Sequence, residues 1–187
     1  MRRALFGGSF DPFHLGHFGL VEVLLTERIV DHVTIMPCKQ SPHKLDRLPA
    51  ADHHRLRMIE LSLRGVSFRS QVEVSEYELR KEGVSYTSET LRELQSSHPE
   101  DEWSLVIGAD QWLSFDRWHE CSYIREHFGV IVFGRDAHEA VVGEGLVFVP
   151  YQRDVSSTKI RLGERSKASL TPSVIGYIRE CNLYEQS

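Results

Sequence analysis

Short apolar runs alternate along this chain with longer stretches of helical spacing. Ala4, Leu5 and Phe6 form a brief apolar run, so residues 3–6 are predicted to be a buried strand. Residues 15–27 place Phe18, Val21 and Leu25 on one helical face, with Leu20 and Leu24 beside them, which predicts a helix. HVTIM at 32–36 reads as a second strand. A polar loop over 37–49 carries Pro37, Pro42 and Pro49, and a helix over 50–64 follows with Leu56, Ile59 and Leu63 on one face. A weaker strand is expected at 72–74 and a helix at 87–94, with Leu91 and Leu94 inward. WSLVI at 103–107 and VIVF at 130–133 are near-continuous apolar runs, as in parallel strands covered on both faces. Ile124 and Phe128 mark a short helix between them, and 146–149 is a further strand. Two helices finish the chain, the last opened by Thr171 as cap and Pro172 as first helical residue.

Strands alternating with helices predict the α/β class, with a parallel sheet flanked by helices. No repeat, low-complexity tract or linker interrupts the pattern, so 1–187 is expected to be one domain that includes the C-terminal helices from about residue 156. A chain of 187 residues can bury a core without disulfides or a structural metal. The formal net charge of -5 argues against a nucleic-acid partner. Cys38, Cys121 and Cys181 are odd in number, far apart and form no CxxC pair, which fits a reducing cytoplasm. The apolar run in MRRALFGGSF breaks after three residues, too short for a signal peptide, and no stretch approaches the ~20 apolar residues of a membrane span. Assembly into a homo-oligomer is left open.

In open α/β sheets ligands bind beyond the carboxyl ends of the strands, so the loops after strands carry the chemistry. The first is GGSFDPFHLGH at 7–17. Gly7 and Gly8 let a ligand lie against the backbone, and the helix near Leu15 aims unpaired N–H groups at the same place, which makes an anion site. His14 and His17 share a face at that end, with Gly16 leaving room between them, and two imidazoles can donate to a phosphate without a permanent full charge. Neither the dinucleotide GxGxxG nor the P-loop pattern is present. Solvated helix histidines, or a zinc pair completed by Asp11, are the competing readings.

The second loop is DVSSTKIR at 154–161, where Ser156, Ser157 and Thr158 can cap a helix and Arg161 offers a forked cation for phosphates. The third is GADQWLSFDRW at 108–118: Asp110 could meet a ribose hydroxyl or a metal, Trp112 reads as a core anchor in a polar turn, and Trp118 could stack on a flat heteroaromatic ring. Lys44, in the proline-rich loop, could reach the phosphates, and His53 and His54 read as exposed helix surface.

GGSFDPFHLGH resembles the GxFxPxHxGH signature of the HxGH nucleotidylyltransferase superfamily, and VSSTKIR resembles its ISSTxIR element. SPHK, SYTSETL, GADQWLSF and Trp118, in that order, are similar to the nicotinate mononucleotide adenylyltransferase branch, and the likeness runs from about residue 4 to VIGYIRECNLY. The resemblance implies a single Rossmann-like nucleotidylyltransferase domain that uses ATP and nicotinate mononucleotide to make nicotinate adenine dinucleotide and pyrophosphate, a step in NAD biosynthesis. It implies catalytic roles for His14, His17, Lys44 and Arg161, and ATP binding by Gly7, Gly8, Ser9, Phe10, Gly16, Ser156, Ser157 and Thr158. Lys44, Thr87, Asp110, Trp118 and His119 are implied to bind substrate, with Trp118 on the pyridine ring and the backbone near Thr87 and His119 at its carboxylate. Mg²⁺ is implied as the companion of ATP, with no metal-ligating residue assigned. Nicotinamide mononucleotide as substrate, dual specificity, and an ATP-sensing module without turnover are the alternatives.

Overall fold

The computed structural model describes residues 1–39, 48–134, 145–151, 153–163, 165 and 168–184. Six strands form one sheet: β1 (Arg2–Gly8), β2 (His32–Pro37), β3 (Val72–Val74), β4 (Glu102–Gly108), β5 (Gly129–Gly134) and β6 (Leu146–Pro150). Every pairing is parallel, in the order β3-β2-β1-β4-β5-β6. The helices are α1 (Leu15–Thr26), α2 (Asp52–Ser62), α3 (Tyr77–Arg80), α4 (Thr87–Ser97), α5 (Ala109–Trp112), α6 (Cys121–His127), α7 (Ser157–Arg161) and α8 (Pro172–Glu180). The predicted α/β architecture and each predicted strand are therefore present.

Alternation along β1 explains why both faces are covered. Ala4 and Phe6 join one apolar cluster with Leu20 and Leu24 of α1 and Ile59 of α2. Leu5 points the other way, into a cluster with Leu91 of α4 and Ile124 of α6. A third cluster joins Met58 of α2 to Ile160 of α7 and to Val174 and Ile178 of α8, so the C-terminal helices share the core.

Several details differ from the pattern reading, among them α3 at Tyr77–Arg80, where no element was expected. Ile59 and Leu63 are buried as expected, but Leu56 is only half-buried and Arg55 takes the inward place beside Met58. Residues 109–112, expected as a turn, form α5, because the Gln111 side chain accepts the Gly108 N–H at 3.1 Å and closes the first turn.

The chain order places the switch in strand sequence between β1 and β4, which are direct neighbours. Their carboxyl ends, Gly8 and Gly108, therefore lie at the switch point, where open α/β sheets carry their ligand crevice, and the loops that follow carry the first and third stretches singled out above.

Candidate active site

The loop after β1 is built around two imidazoles. His14 is the N-cap of α1, in an extended conformation, and its Nδ1 accepts the backbone N–H of Gly16 at 3.1 Å and of His17 at 3.3 Å. The His14 N–H in turn donates to His17 Nδ1 at 3.2 Å, completing a capping box in which histidine stands at both ends. The rings stack, with centroids 3.6 Å apart and planes 13° from parallel. A ring nitrogen that accepts carries no proton, so each neutral imidazole holds its hydrogen on Nε2. Burial pushes His14 down to about 4, which keeps it neutral near pH 7. The result is a pair of fixed, uncharged N–H donors at the end of the central strand.

The glycines have distinct reasons. A Cβ at Gly16 would meet the His14 ring at 2.9 Å, so only glycine admits the stacked imidazole. A Cβ at Gly8 would meet the Phe10 ring at 3.1 Å, while Gly7 is exposed and faces open space, where a ligand can approach its backbone. Phe10 is buried at φ 47, its ring edge-on to Phe6 and to His17. Its ring thus belongs to the core and backs His17. Ser9 is half-buried, with its hydroxyl 3.7 Å from Cys38 Sγ.

The second stretch closes onto the first. Ser156 caps α7 by accepting from Lys159 N at 3.2 Å. Ser157 Oγ donates to the Pro12 carbonyl at 3.1 Å. Arg161 donates to the Asp11 carbonyl at 2.7 Å and to Thr158 Oγ1 at 3.1 Å, and its guanidinium lies 3.8 Å from the Asp11 carboxylate. Chain segments about 150 residues apart thus form one cradle.

Sequence reasoning missed the groups that hold this cradle. Asp11 is buried, and its Oδ1 accepts the Ala50 N–H at 3.1 Å and the Tyr184 hydroxyl at 2.8 Å. Arg55 is fully buried and donates to the carbonyls of Ser9, Cys38 and Ala50, fixing the loops after β1 and β2 to the start of α2. Asp52 completes its shell at 2.5 Å. Arg153 donates to the Leu15 carbonyl at 3.0 Å. One signal for Arg55 was available: it sits three and four positions before the inward Met58 and Ile59. Tyr184 left none, because only the fold brings the chain end to residue 11. Both contacts engage Asp11 Oδ1, Oδ2 lies 3.8 Å from the Arg161 guanidinium, and the Nδ1 atoms of both histidines accept backbone N–H groups. Among the described residues no cluster of three or more His, Cys, Asp or Glu side chains is arranged to hold a metal.

The third stretch follows β4, the strand beside β1. Trp112 stacks on buried Phe115 at 5.3 Å and 22°, as a core anchor should. Trp118 is half-buried, 5.4 Å from the same ring. Thr87 opens α4, and the preceding Tyr86 ring lies 4.4 Å from the His119 ring, so the two backbone segments expected at one substrate end are together. Asp110 is exposed in the first turn of α5, at the end of β4. His53 is exposed as expected, but His54 Nδ1 meets the Tyr177 hydroxyl at 2.8 Å and helps join α2 to α8. Lys44 lies outside the described residues.

Comparison with known proteins bears on the same stretches. Residues 5–163 match the family model described as cytidylyltransferase-like. A probable nicotinate-nucleotide adenylyltransferase of Rhodopirellula baltica is 42% identical over 134 residues, which are 71% of this chain and 61% of that protein. One of Bacillus pumilus is 34% identical over 97% of both chains. The solved structure of Plasmodium falciparum nicotinic acid mononucleotide adenylyltransferase complexed with NaAD has the same fold, with a TM-score of 0.80 over 98% of this chain and 97% of that one, at 20% identity. With a family match that contains both arms of this cradle and a relative aligned from end to end, the chain belongs to the cytidylyltransferase-like nucleotidyltransferases.

Proposed function

We infer that the chain is a nicotinate-nucleotide adenylyltransferase, which transfers the adenylyl group of ATP to nicotinate mononucleotide and releases pyrophosphate. The product, nicotinate adenine dinucleotide, is an intermediate of NAD biosynthesis. The observation that carries the reading is the capping box of His14 and His17, which presents two neutral Nε2–H donors at the sheet's switch point.

The mononucleotide phosphate attacks the α-phosphorus of ATP, forming the new P–O bond as the bond to pyrophosphate breaks. A phosphate oxygen is already nucleophilic, so the site needs neither a general base nor an enzyme nucleophile. Its work is to align the reactants and to stabilise charge on the departing group. His14 and His17 donate to the reacting phosphates. Gly7, Gly8, Ser9 and Gly16 let ATP lie along the backbone, with Phe10 fixing the turn from beneath. Arg161, Ser156, Ser157 and Thr158 line the β- and γ-phosphate end, where Lys44 is the further cation. A divalent ion enters with ATP, and we take it to be Mg²⁺. With Asp11 Oδ1 held by Ala50 and Tyr184, phosphate oxygens would be its main ligands, and it would draw charge from them.

Across the crevice Trp118 stacks on the pyridine ring and the backbone N–H groups near Thr87 and His119 meet its carboxylate, with Asp110 on a ribose. An amide would set an N–H donor against those donors, which favours the acid. Residues 1–187 act as one nucleotidylyltransferase domain, because Tyr184 near the chain end donates to Asp11 inside the site. Pyrophosphate release from ATP and Mg²⁺ with nicotinate mononucleotide, nicotinamide mononucleotide or phosphopantetheine tests the reading. Release with the nicotinate compound at least ~10-fold above the amide is the expected result, on the scale of leaving a buried donor unmatched. No release with any acceptor overturns it.

A further inference from the structure

Glu120 directly follows the Trp118 and His119 pair and sits at φ 53 and ψ 39, in the left-handed region. Glutamate is strained there, and such strain persists only where the surroundings over-determine it. At this position the Glu120 carboxylate is held by Arg92 of α4, whose two terminal nitrogens donate to its two oxygens at 2.6 and 3.0 Å, and it lies 3.7 Å from His119 Nε2. The guanidinium is itself fixed over the Tyr123 ring, 3.9 Å from its centroid. The bridge therefore ties the turn that carries Trp118 and His119 to the helix that opens at Thr87. The ring contact of Tyr86 with His119 joins the same two segments one helical turn and more away. Arg92 also holds the Glu120 carboxyl down at about 2, so this carboxylate stays ionised throughout the working range and Arg92 balances it.

We propose that Arg92 and Glu120 form a specificity-determining clamp on the mononucleotide pocket, holding the 118–120 turn against the start of α4 and cancelling the negative charge of Glu120 at the end that receives a carboxylated ring. The proposal rests on the adenylyltransferase reading above. Without Arg92, a full negative charge would stand one residue from the His119 backbone, and like charges in a partly solvated site weaken binding by small factors. Loss of Glu120 opens the same clamp but leaves a positive charge instead. The two truncations are thus alike mechanically and opposite electrostatically.

Steady-state kinetics with ATP and either mononucleotide tests this in Arg92→Gln, Glu120→Gln and Arg92→Lys. Both side chains are more than a third exposed, so the variants are expected to fold, and thermal melts check it. Arg92→Gln should raise the KM for nicotinate mononucleotide about fivefold, the range of a well-formed exposed pair, and leave the KM for ATP within about twofold. Its acid-to-amide ratio of kcat/KM should fall about threefold. Glu120→Gln should raise the KM for both mononucleotides without lowering that ratio, and Arg92→Lys should keep the ratio with an intermediate KM. A ratio unchanged in Arg92→Gln, or moved the same way in both Gln variants, overturns the clamp. Wild-type protein inactive with both mononucleotides would instead overturn the functional reading, and this assignment with it.

Discussion

His14 performs two jobs through two atoms, and they can be separated. Nδ1 caps α1 by accepting from Gly16 and His17, and in the function proposed above Nε2–H donates to the phosphates. Asparagine places an amide oxygen near the Nδ1 position and is among the best N-cap residues, but it does not reach the Nε2 position. Glutamine reaches the Nε2 position with an N–H donor and leaves the cap unmade. Loss of the cap costs about 1 kcal/mol, which for a chain of this size is a fall of about 2–4 °C in Tm. Loss of one preorganised donor to the transferring group costs roughly 10²–10³-fold in turnover. His14→Asn is therefore expected to melt within about 1 °C of wild type while losing about 10²–10³ in kcat. His14→Gln should melt lower yet retain more turnover than His14→Asn, and His14→Ala should show both losses. Melting by circular dichroism and pyrophosphate release measure the two axes on the same samples. If His14→Asn melts as low as His14→Ala, the cap reading is wrong. If its turnover stays within about tenfold of wild type, the donor reading is wrong.

The remaining expectations begin with the pH dependence of His14 and pass to other residues. His14 has its folded pKa lowered by burial from 6.5 to about 4, so between these values the unfolded chain binds the extra proton. The stability involved is present above about pH 6.5 and is lost as pH falls towards 4, by up to about 3 kcal/mol, and the Tm difference between wild type and His14→Asn across that window measures it. His17→Ala should lose roughly 10²–10³-fold in turnover, and a loss under tenfold would remove His17 from the reacting phosphates. Trp118→Ala should raise the KM for the mononucleotide with little change in that for ATP, and an unchanged mononucleotide KM refutes the stacking. Tyr184→Phe removes one hydrogen bond to a buried carboxylate, about 1.5–3 kcal/mol, and should lower Tm by several degrees with a smaller change in kcat. A Tm equal to wild type would show that the chain end does not brace Asp11.

How much of this could be read in advance depended on whether the signal was local. The strands were legible because a parallel sheet covered on both faces needs continuous apolar runs, and VIVF and WSLVI have no other obvious use. The loop after β1 was legible as a candidate anion site because a strand end, glycines and a helix start lie within a dozen residues of one another. α5 escaped because its first turn is closed by the side chain of Gln111, a residue that favours no particular element at that place. Arg55 escaped because a charge inside a helix face is read as solvated. Yet at this position three carbonyls and a carboxylate are brought to it from positions 3 to 46 residues away. Asp11 shows the same limit more sharply. Its spacing from the histidines allowed a metal reading, and nothing in the sequence signalled the two contacts on its Oδ1, from Ala50 and from Tyr184, that only the folded chain supplies. The histidines themselves sit between these cases. Their spacing predicted that they share a face, but not that each accepts a backbone N–H through Nδ1. That detail fixes the tautomer and so turns two adaptable rings into donors aimed before any ligand arrives. A site whose chemistry is alignment needs this pre-arrangement, and its cost is spread over residues that touch no substrate. Gly16 gives the ring its room, Phe10 backs its neighbour, and Asp11, Arg55 and Tyr184 hold the loop on which both imidazoles stand.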